Sequence, residues 1–329
     1  MSQRSNRLFI VSASVAALAL MFAAVAMAAR IVGDDGPNTL TGTAARDIIL
    51  AKGGDDTVNA LGSTDLVRAG SGNDSVDGGA GRDLVRGGLG DDSIRGGGGF
   101  PGRRGDLLHG NPGNDTVLGG RGFDLITGNA GTDNLNGGPG CDRIFAGPDN
   151  DVLAGGAGFS FRRLGASARL GRVRSDVLYR CERLHGGLGN DVSNGGAGRD
   201  FMSGGQGDDV QNGGGGADKL FANPGRDKSH GGDGQDVLWA VARVDVSAIG
   251  DPAGDELSGG AGRDRIHVRD GEVDIVHCGA GRDLVITDQF DQVGADCEVR
   301  RQSDITSLDQ VDDSEERAVE NPDEDDDEG

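Results

Sequence analysis

The sequence predicts an all-β fold, a solenoid in which very short strands stack coil upon coil, and three observations carry that prediction. The first is a nine-residue period. Gly78 to Arg95 reads GGAGRDLVR and then GGLGDDSIR. With the aspartate numbered as position six, it recurs at Asp47, Asp56, Asp65, Asp74, Asp83 and Asp92, then at Asp106, Asp115, Asp124, Asp133, Asp142 and Asp151. The phase returns at Asp191, Asp200, Asp209, Asp218, Asp227 and Asp236, and again at Asp255, Asp264, Asp274 and Asp283. A period held this long marks a repeat architecture. The second observation is a single aliphatic residue at position eight of nearly every copy, as in Val58, Val76, Ile94, Val117 and Leu135. The third is its exceptions: Ser193, Gln211 and Ser229 stand at position eight, 18 residues apart, between copies whose position eight is Met202, Leu220 and Leu238. Alternate copies therefore share a face, and two nonapeptides make one coil of 18 residues.

The local chemistry agrees. Glycine supplies the left-handed dihedrals of tight turns and costs backbone entropy in regular elements, so positions one to six are expected to be turn and not strand. Positions seven to nine are left as a three-residue strand, in which position eight faces inward and seven and nine face out. One buried aliphatic side chain per nine residues returns far less than ordering nine residues costs. Stacking also lines up one aspartate per coil along each edge, and such columns repel one another without a counter-ion. A hard divalent cation held between coils by carboxylate and carbonyl oxygens answers both objections.

Composition bounds the rest. The chain has 329 residues, 63 of them glycine, with 4% aromatics and a formal charge of -22. Its length measures repeat number and not core volume. The acidity argues against a nucleic-acid partner and favours cations, calcium first.

In order along the chain, Arg4 and Arg7 precede an apolar stretch from Leu8 to Val25 and the small residues Ala26 to Ala29. This reads as a secretory signal peptide over residues 1–28, and the alternative is an uncleaved anchor helix. No later segment could span a membrane. Gly33 to Thr41 is a degenerate first copy, with Asn38 in place of aspartate, and an N-terminal cap. The first repeat array fills 29–158 and absorbs five extra residues around Phe100 to Arg104. A basic insertion over 159–176 carries Arg162, Arg163, Arg169, Arg172 and Arg174. It reads as a solvated loop, or as a grip on an acidic glycan or on the chain's own tail. The second array, 177–300, opens on Glu182 in place of aspartate and ends in a weaker, cysteine-bearing cap. Residues 301–329 are acidic and nearly free of large apolar residues, which predicts a disordered tail. Cys141, Cys181, Cys278 and Cys297 allow three disulfide pairings, of which 141 with 181 and 278 with 297 are the local ones.

The sentence GGxGxDxUx, with U a large apolar residue, resembles the hemolysin-type calcium-binding repeat of the repeats-in-toxin family. The resemblance covers most of Gly33 to about Val285. It implies a right-handed parallel β-roll in which calcium sits between turns two repeats apart, held by position-six carboxylates and turn carbonyls. Carried over residue by residue, the implied ligands are Asp74, Asp83, Asp92, Asp106, Asp115, Asp124, Asp133, Asp142, Asp151, Asp191, Asp200, Asp209, Asp218, Asp227, Asp236 and Asp264. The copies of Asp47, Asp56 and Asp65 lack the glycine pair and read as structural turns. Arg82, Arg199, Arg226, Arg263 and Arg282 at position five are expected to weaken calcium binding beside them. Well-known members of the family carry an enzymatic or pore-forming domain ahead of the repeats and a C-terminal export signal. This chain has an N-terminal signal and no room for such a domain, so toxin or protease activity does not carry over.

Other chemistry reads as absent. His109, His185, His230, His267 and His277 all fall at position nine, outward, and His267 and His277 fall on opposite sheets. No HExxH, GxSxG or phosphate-binding loop occurs. Phe221 and Trp239, at position nine and 18 apart, stack on one outer face, either as packing under the insertion that follows or as a platform for a sugar ring. The expectation is a secreted, non-enzymatic calcium-binding repeat protein that folds on meeting calcium and serves a structural or adhesive role outside the cell, with polysaccharide or the cell surface as partner. The alternatives are a polysaccharide-active enzyme, such as an alginate epimerase or lyase, and a calcium-dependent glycan-binding module.

Overall fold

The structure, a computed structural model, describes residues 27–98, 104–158, 182–240 and 254–304. The signal sequence, the basic insertion and the acidic tail fall almost wholly outside the described residues. What is described is all-β: 28 strands in two parallel sheets. The first sheet runs from Arg30–Val32 through Ile48–Gly53 and Leu66–Ser71 to Val299–Gln302. The second runs from Thr39–Thr41 through Thr57–Asn59 and Ser75–Gly81 to Gln292–Val293. Successive strands alternate between the sheets, so each coil contributes one strand to each and spans two nonapeptides. Among the described residues no helix is long and apolar enough to cross a membrane.

The register confirms the 18-residue coil at the positions that predicted it. Ser193 pairs with Gln211 and Gln211 with Ser229 in the second sheet, while Met202 pairs with Leu220 and Leu220 with Leu238 in the first. Position eight is interior throughout: Val58, Ile94, Leu135, Leu220 and Val276 are buried, in one continuous core. Within the polar column, the Ser229 hydroxyl donates to Gln211 Oε1 at 3.0 Å and Gln211 Nε2 donates to the Phe221 carbonyl at 3.1 Å. Ser193 Oγ is buried with no hydrogen-bond partner among the described residues, so the chain of bonds along the column stops one residue short.

The strands are longer than the sequence suggests. Ser75–Gly81 and Val192–Gly198 run from position seven through the glycines to position four, and Gly79 pairs with Gly97 as Gly196 does with Gly214. The assignment of positions one to six to turn alone is therefore corrected. Parallel stacking repeats the same bend in every coil, so the bent segment finds its N–H and C=O partners in the next coil as a flat strand does.

Two further corrections concern small residues. Position one is interior as well as position eight: Ala51, Ala60, Ala69, Ala146, Ala222 and Ala240 fill it in six copies and are buried, and glycine fills it in most others. Positions two and four carry the positive φ. Where glycine is missing there, Lys52, Leu61, Ser63, Asn111, Asn129, Asp149 and Asn223 adopt it instead, with φ between 70° and 92°. A side chain at these places meets the preceding coil, since a Cβ built on Gly70 would collide with the Lys52 carbonyl.

The ends are closed by more than the readable copies. Arg30–Val32 pairs with Ile48 to Leu50, one strand before the degenerate copy expected as the cap. At the other end Cys278 and Cys297 form a disulfide with their Cα atoms 5.1 Å apart. Cys141 is disulfide-bonded as well, and Cys181 lies outside the described residues.

Candidate metal centre

The turns lie along two edges. Turns of the first edge lead into the first sheet and carry Asp47, Asp65, Asp83, Asp106, Asp124, Asp142, Glu182, Asp200, Asp218, Asp236, Asp264 and Asp283. Turns of the second edge lead into the second sheet and carry Asp56, Asp74, Asp92, Asp115, Asp133, Asp151, Asp191, Asp209, Asp227, Asp255 and Asp274. On both edges one bond repeats: the main-chain N–H of each position-six residue donates to the carboxylate of its counterpart one coil on. Examples are Asp65 to Asp83 Oδ1 at 2.8 Å and Asp74 to Asp92 Oδ1 at 2.8 Å. The ladder crosses each insertion unbroken, from Asp83 to Asp106, from Asp142 to Glu182 and from Asp236 to Asp264. Glu298 on the first edge and Asp291 on the second end the two columns. Sequence reading missed both, because the steps shorten to 15 and 17 residues there.

One oxygen per carboxylate is thus accounted for. The other is not. All sixteen predicted site residues are at most 2% exposed. In each except Asp227, which holds the same place in the ladder, Oδ2 is buried and without a hydrogen-bond partner among the described residues. Asp56, Asp65, Asp274 and Asp283, outside the predicted set, share this state. Asp47 does not: Thr43 donates to it from both main chain and hydroxyl, and Ala29 N–H adds a third bond. Position one explains why glycine recurs beside these oxygens. A Cβ on Gly119 would sit 2.7 Å from Asp124 Oδ2 and 2.6 Å from the Gly137 carbonyl oxygen. Glycine there leaves the carboxylate and the next coil's carbonyl facing the same space.

Burial without a partner sets the electrostatics. Desolvation pushes the carboxyls of Asp83, Asp92 and Asp133 up to about 7, against the single N–H bond each accepts, and neighbours in the column add to the rise. Asp142 is pushed to about 8 and Glu182 to about 9, again by burial first. Isolated buried carboxylates either take a proton or find a cation. Among the described residues no group of three or more His, Cys, Asp or Glu is arranged to hold a metal by side chains alone. The donors here are oxygen only, carboxylate and main-chain carbonyl, which is the chemistry of a hard cation such as calcium.

The edges differ at position five. On the second edge it is Asp55, Asn73, Asp91, Asn114, Thr132, Asn150, Asn190 and Asp208, then Arg226, Gly254 and Val273. These side chains form a second ladder outside the first: Asn73 N–H donates to Asp55 Oδ1, Asp91 to Asn73, Asn114 to Asp91, and Thr132 to Asn114, at 2.8–3.0 Å. The ladder resumes with Asn190 to Asn150, Asp208 to Asn190 and Arg226 to Asp208. On the first edge position five is Arg46, Arg82, Arg199, Arg263 or Arg282, or the uncharged Thr64, Gly105, Phe123, Cys141, Cys181, Ala217 and Gln235. The carboxyl of Asp106, raised to about 7 by burial and by Asp124 and Asp83, is pulled back by Arg82, and Asp218 by Arg199. On the second edge Asp91 and Asp55 push the other way, raising Asp92 and Asp74 further after burial.

Outside the turns, the histidines at position nine face outward, half-buried or exposed, with His267 and His277 on opposite sheets as expected. The sugar platform is overturned. Phe221 and Trp239 do stack, with centroids 4.4 Å apart and planes 1° from parallel, but they are only 4% and 8% exposed. The tilted ring of Phe201 lies 5.0 Å from Phe221, and His267 stacks 5.5 Å beyond Trp239. The rings are packed against one another and present no open face to a sugar.

No curated protein matches the chain. Among solved structures it is similar to a hyperactive, Ca2+-dependent, beta-helical antifreeze protein from an Antarctic bacterium, at 14% identity and a TM-score of 0.28, over 87% of this chain and 90% of that one. The profile of the RTX calcium-binding nonapeptide repeat (4 copies) matches residues 32–67, 68–100, 109–140, 127–161, 185–220, 203–238 and 249–285. These segments cover most of the described solenoid and share its phase, and the chain belongs to the RTX calcium-binding nonapeptide repeat family.

Proposed function

We propose that this is a secreted, non-enzymatic protein whose solenoid folds on binding calcium and which serves a structural or adhesive role at or beyond the cell surface. One observation carries the reading: the position-six carboxylates are buried in two unbroken columns with an oxygen left unpartnered in coil after coil. Such columns are costly to form empty and ionised, and a divalent cation between coils converts that cost into a cross-link. The residues proposed to hold it are the position-six aspartates named above, with main-chain carbonyls of the turns completing the shell. When bound, calcium supplies charge neutralisation and coordination, and the chain supplies the ladder that fixes each carboxylate. Secretion rests on the N-terminal apolar stretch, and extracellular calcium is abundant enough to fill sites in the roughly 10⁻⁴ to 10⁻³ M range of extracellular modules.

The test is a calcium titration of the mature chain followed by circular dichroism, with calorimetry in parallel. β-structure is expected to appear cooperatively with calcium and poorly with magnesium, whose small octahedral shell gives up water reluctantly. An identical β signal in chelator and in millimolar calcium would sink the proposal. The enzyme alternative gains nothing from the buried aromatic stack, which was the feature that favoured a sugar surface.

A further inference from the structure

Building on the calcium reading, we infer that the two edges are not equivalent: from Asp56 to Asp209 the second edge holds calcium more tightly than the first, where an arginine stands beside the carboxylate at five of the twelve turns.

The sequence writes the edges in two dialects. The first edge repeats GGAGRD verbatim at Gly78 to Asp83, Gly195 to Asp200 and Gly259 to Asp264, with CGAGRD at Cys278 to Asp283. The second edge has GGLGDD at Gly87 to Asp92, GGLGND at Gly186 to Asp191 and GGQGDD at Gly204 to Asp209. Counting intact glycine pairs favours the first edge, but the pair does not decide, because Lys52, Asn111, Asn129 and Asn223 give second-edge turns the same positive φ. The backbone cradle is therefore common to both edges, as are the buried Oδ2 atoms of Asp83 and Asp200 on one and Asp92 and Asp209 on the other.

What remains different is the second shell of oxygen. Beside the inner carboxylates, the second edge stacks Asp55, Asn73, Asp91, Asn114, Asn190 and Asp208 in its outer ladder, so the coil boundaries from Asp55 to Asp208 offer further side-chain oxygen and, in three coils, further negative charge. Calcium takes six to eight oxygens, and its affinity rises with the ligand charge close to it. The first edge places exposed guanidinium groups at the same height, and a groove near its C-terminal end is lined by Arg263, Arg265 and Arg282 around Asp236 and Asp264. A cation approaching there meets positive charge at the mouth of the turn. Arg226, Gly254 and Val273, at the C-terminal end of the second edge, lack that oxygen.

The experiment counts bound calcium on the full mature chain by equilibrium dialysis, with circular dichroism confirming the fold at saturating calcium. At a calcium concentration that half-fills the wild-type chain, Asp92→Asn with Asp209→Asn is expected to lower the number of ions held by more than Asp83→Asn with Asp200→Asn does. Because buried substitutions can compromise folding, exposed position-five residues provide an independent pair. Asp91→Arg with Asp208→Arg should weaken calcium binding by about tenfold, and Arg82→Asn with Arg199→Asn should add ions or tighten them. Anomalous scattering from crystals grown in limiting calcium should show the higher peaks along the second edge. Equal losses from both aspartate pairs, or peaks of equal height along both edges, overturn the inference and leave the calcium reading standing. A wild-type chain that holds no calcium overturns both.

Discussion

Two columns run side by side through the interior, and they solve burial in opposite ways. The position-eight residues, with Val58 stacked on Val76 in one sheet and Val67 on Val85 in the other, are buried and, outside the polar run of Ser193, Gln211 and Ser229, complete in themselves: each methyl-bearing side chain rests on its counterpart one coil away. The position-six carboxylates, in their two columns, are equally buried but incomplete, because one oxygen in most of them has no partner among the described residues. The difference teaches where the fold keeps its dependence on conditions. Apolar stacking fixes register at any pH and cation concentration, whereas the carboxylate stack is stable only when its charge is answered.

The largest expected effect follows from withdrawing the answer. In chelator at pH 8 most carboxylates of the columns, those raised to about 7 such as Asp83 and Asp92, are ionised without a counter-charge, and circular dichroism should show most of the β signal lost and restored by calcium. Retention of the full signal would put the whole stability in the apolar column and erase the distinction.

A proton should partly replace the cation. Asp83, Asp92 and Asp209 sit at about 7 in the folded, cation-free coil, raised mainly by burial, against an ordinary value of 3.8. Between those values the folded chain binds more protons than the unfolded chain. The contribution is therefore fully present below about pH 4 and lost as pH rises through about 7. With chelator present, the β signal should grow as pH is lowered from 8 to 5, and in millimolar calcium that growth should vanish. Growth of equal size with and without calcium would separate the titrating groups from the cation.

Within the apolar column the third array offers a sharper comparison. Leu220→Gln puts an amide between Met202 and Leu238 and is expected to cost roughly 1–3 kcal/mol or more in chemical denaturation at saturating calcium. Gln211→Leu removes the bonds to Phe221 and Ser229 but leaves a shape the column tolerates, and should cost less, about 1 kcal/mol. Equal costs would mean that the two faces of the coil do not differ as their side chains do. Smallest of all is Ser193→Ala. Its Oγ is buried without a partner among the described residues, so its removal should be neutral or stabilising by less than about 1 kcal/mol.

Much of this was legible in the residues. The coil length came from Ser193, Gln211 and Ser229 alone, since a polar residue can interrupt an interior column only at intervals of one coil. The position-six aspartates were legible because every stacked copy repeats the same bond. Position one was not. Glycine there reads as flexibility, whereas its reason is the proximity of the aspartate's own Oδ2, and that closeness exists only once the turn is bent. The aromatic pair misled for a related reason: position nine faces out, yet Phe221 and Trp239 are enclosed by neighbours that a strand's alternation does not reveal. The terminal Asp291 and Glu298 escaped because a ladder tolerates changes of step that a fixed period does not.

That tolerance has a consequence of its own. The aspartate ladder steps by 18 residues in most coils but by 23, 40 and 28 where loops intervene, and the bond it makes is the same length within a few tenths of an ångström. The solenoid therefore counts coils and is indifferent to contour length between them. For a lineage this makes the turns docking points for foreign sequence, where a segment can be gained, lengthened or discarded without renegotiating the register of anything downstream. For an engineer it marks the junctions after Gly98, Gly158 and Ala240 as places where a guest peptide can be carried on a rod whose assembly answers to a single ion.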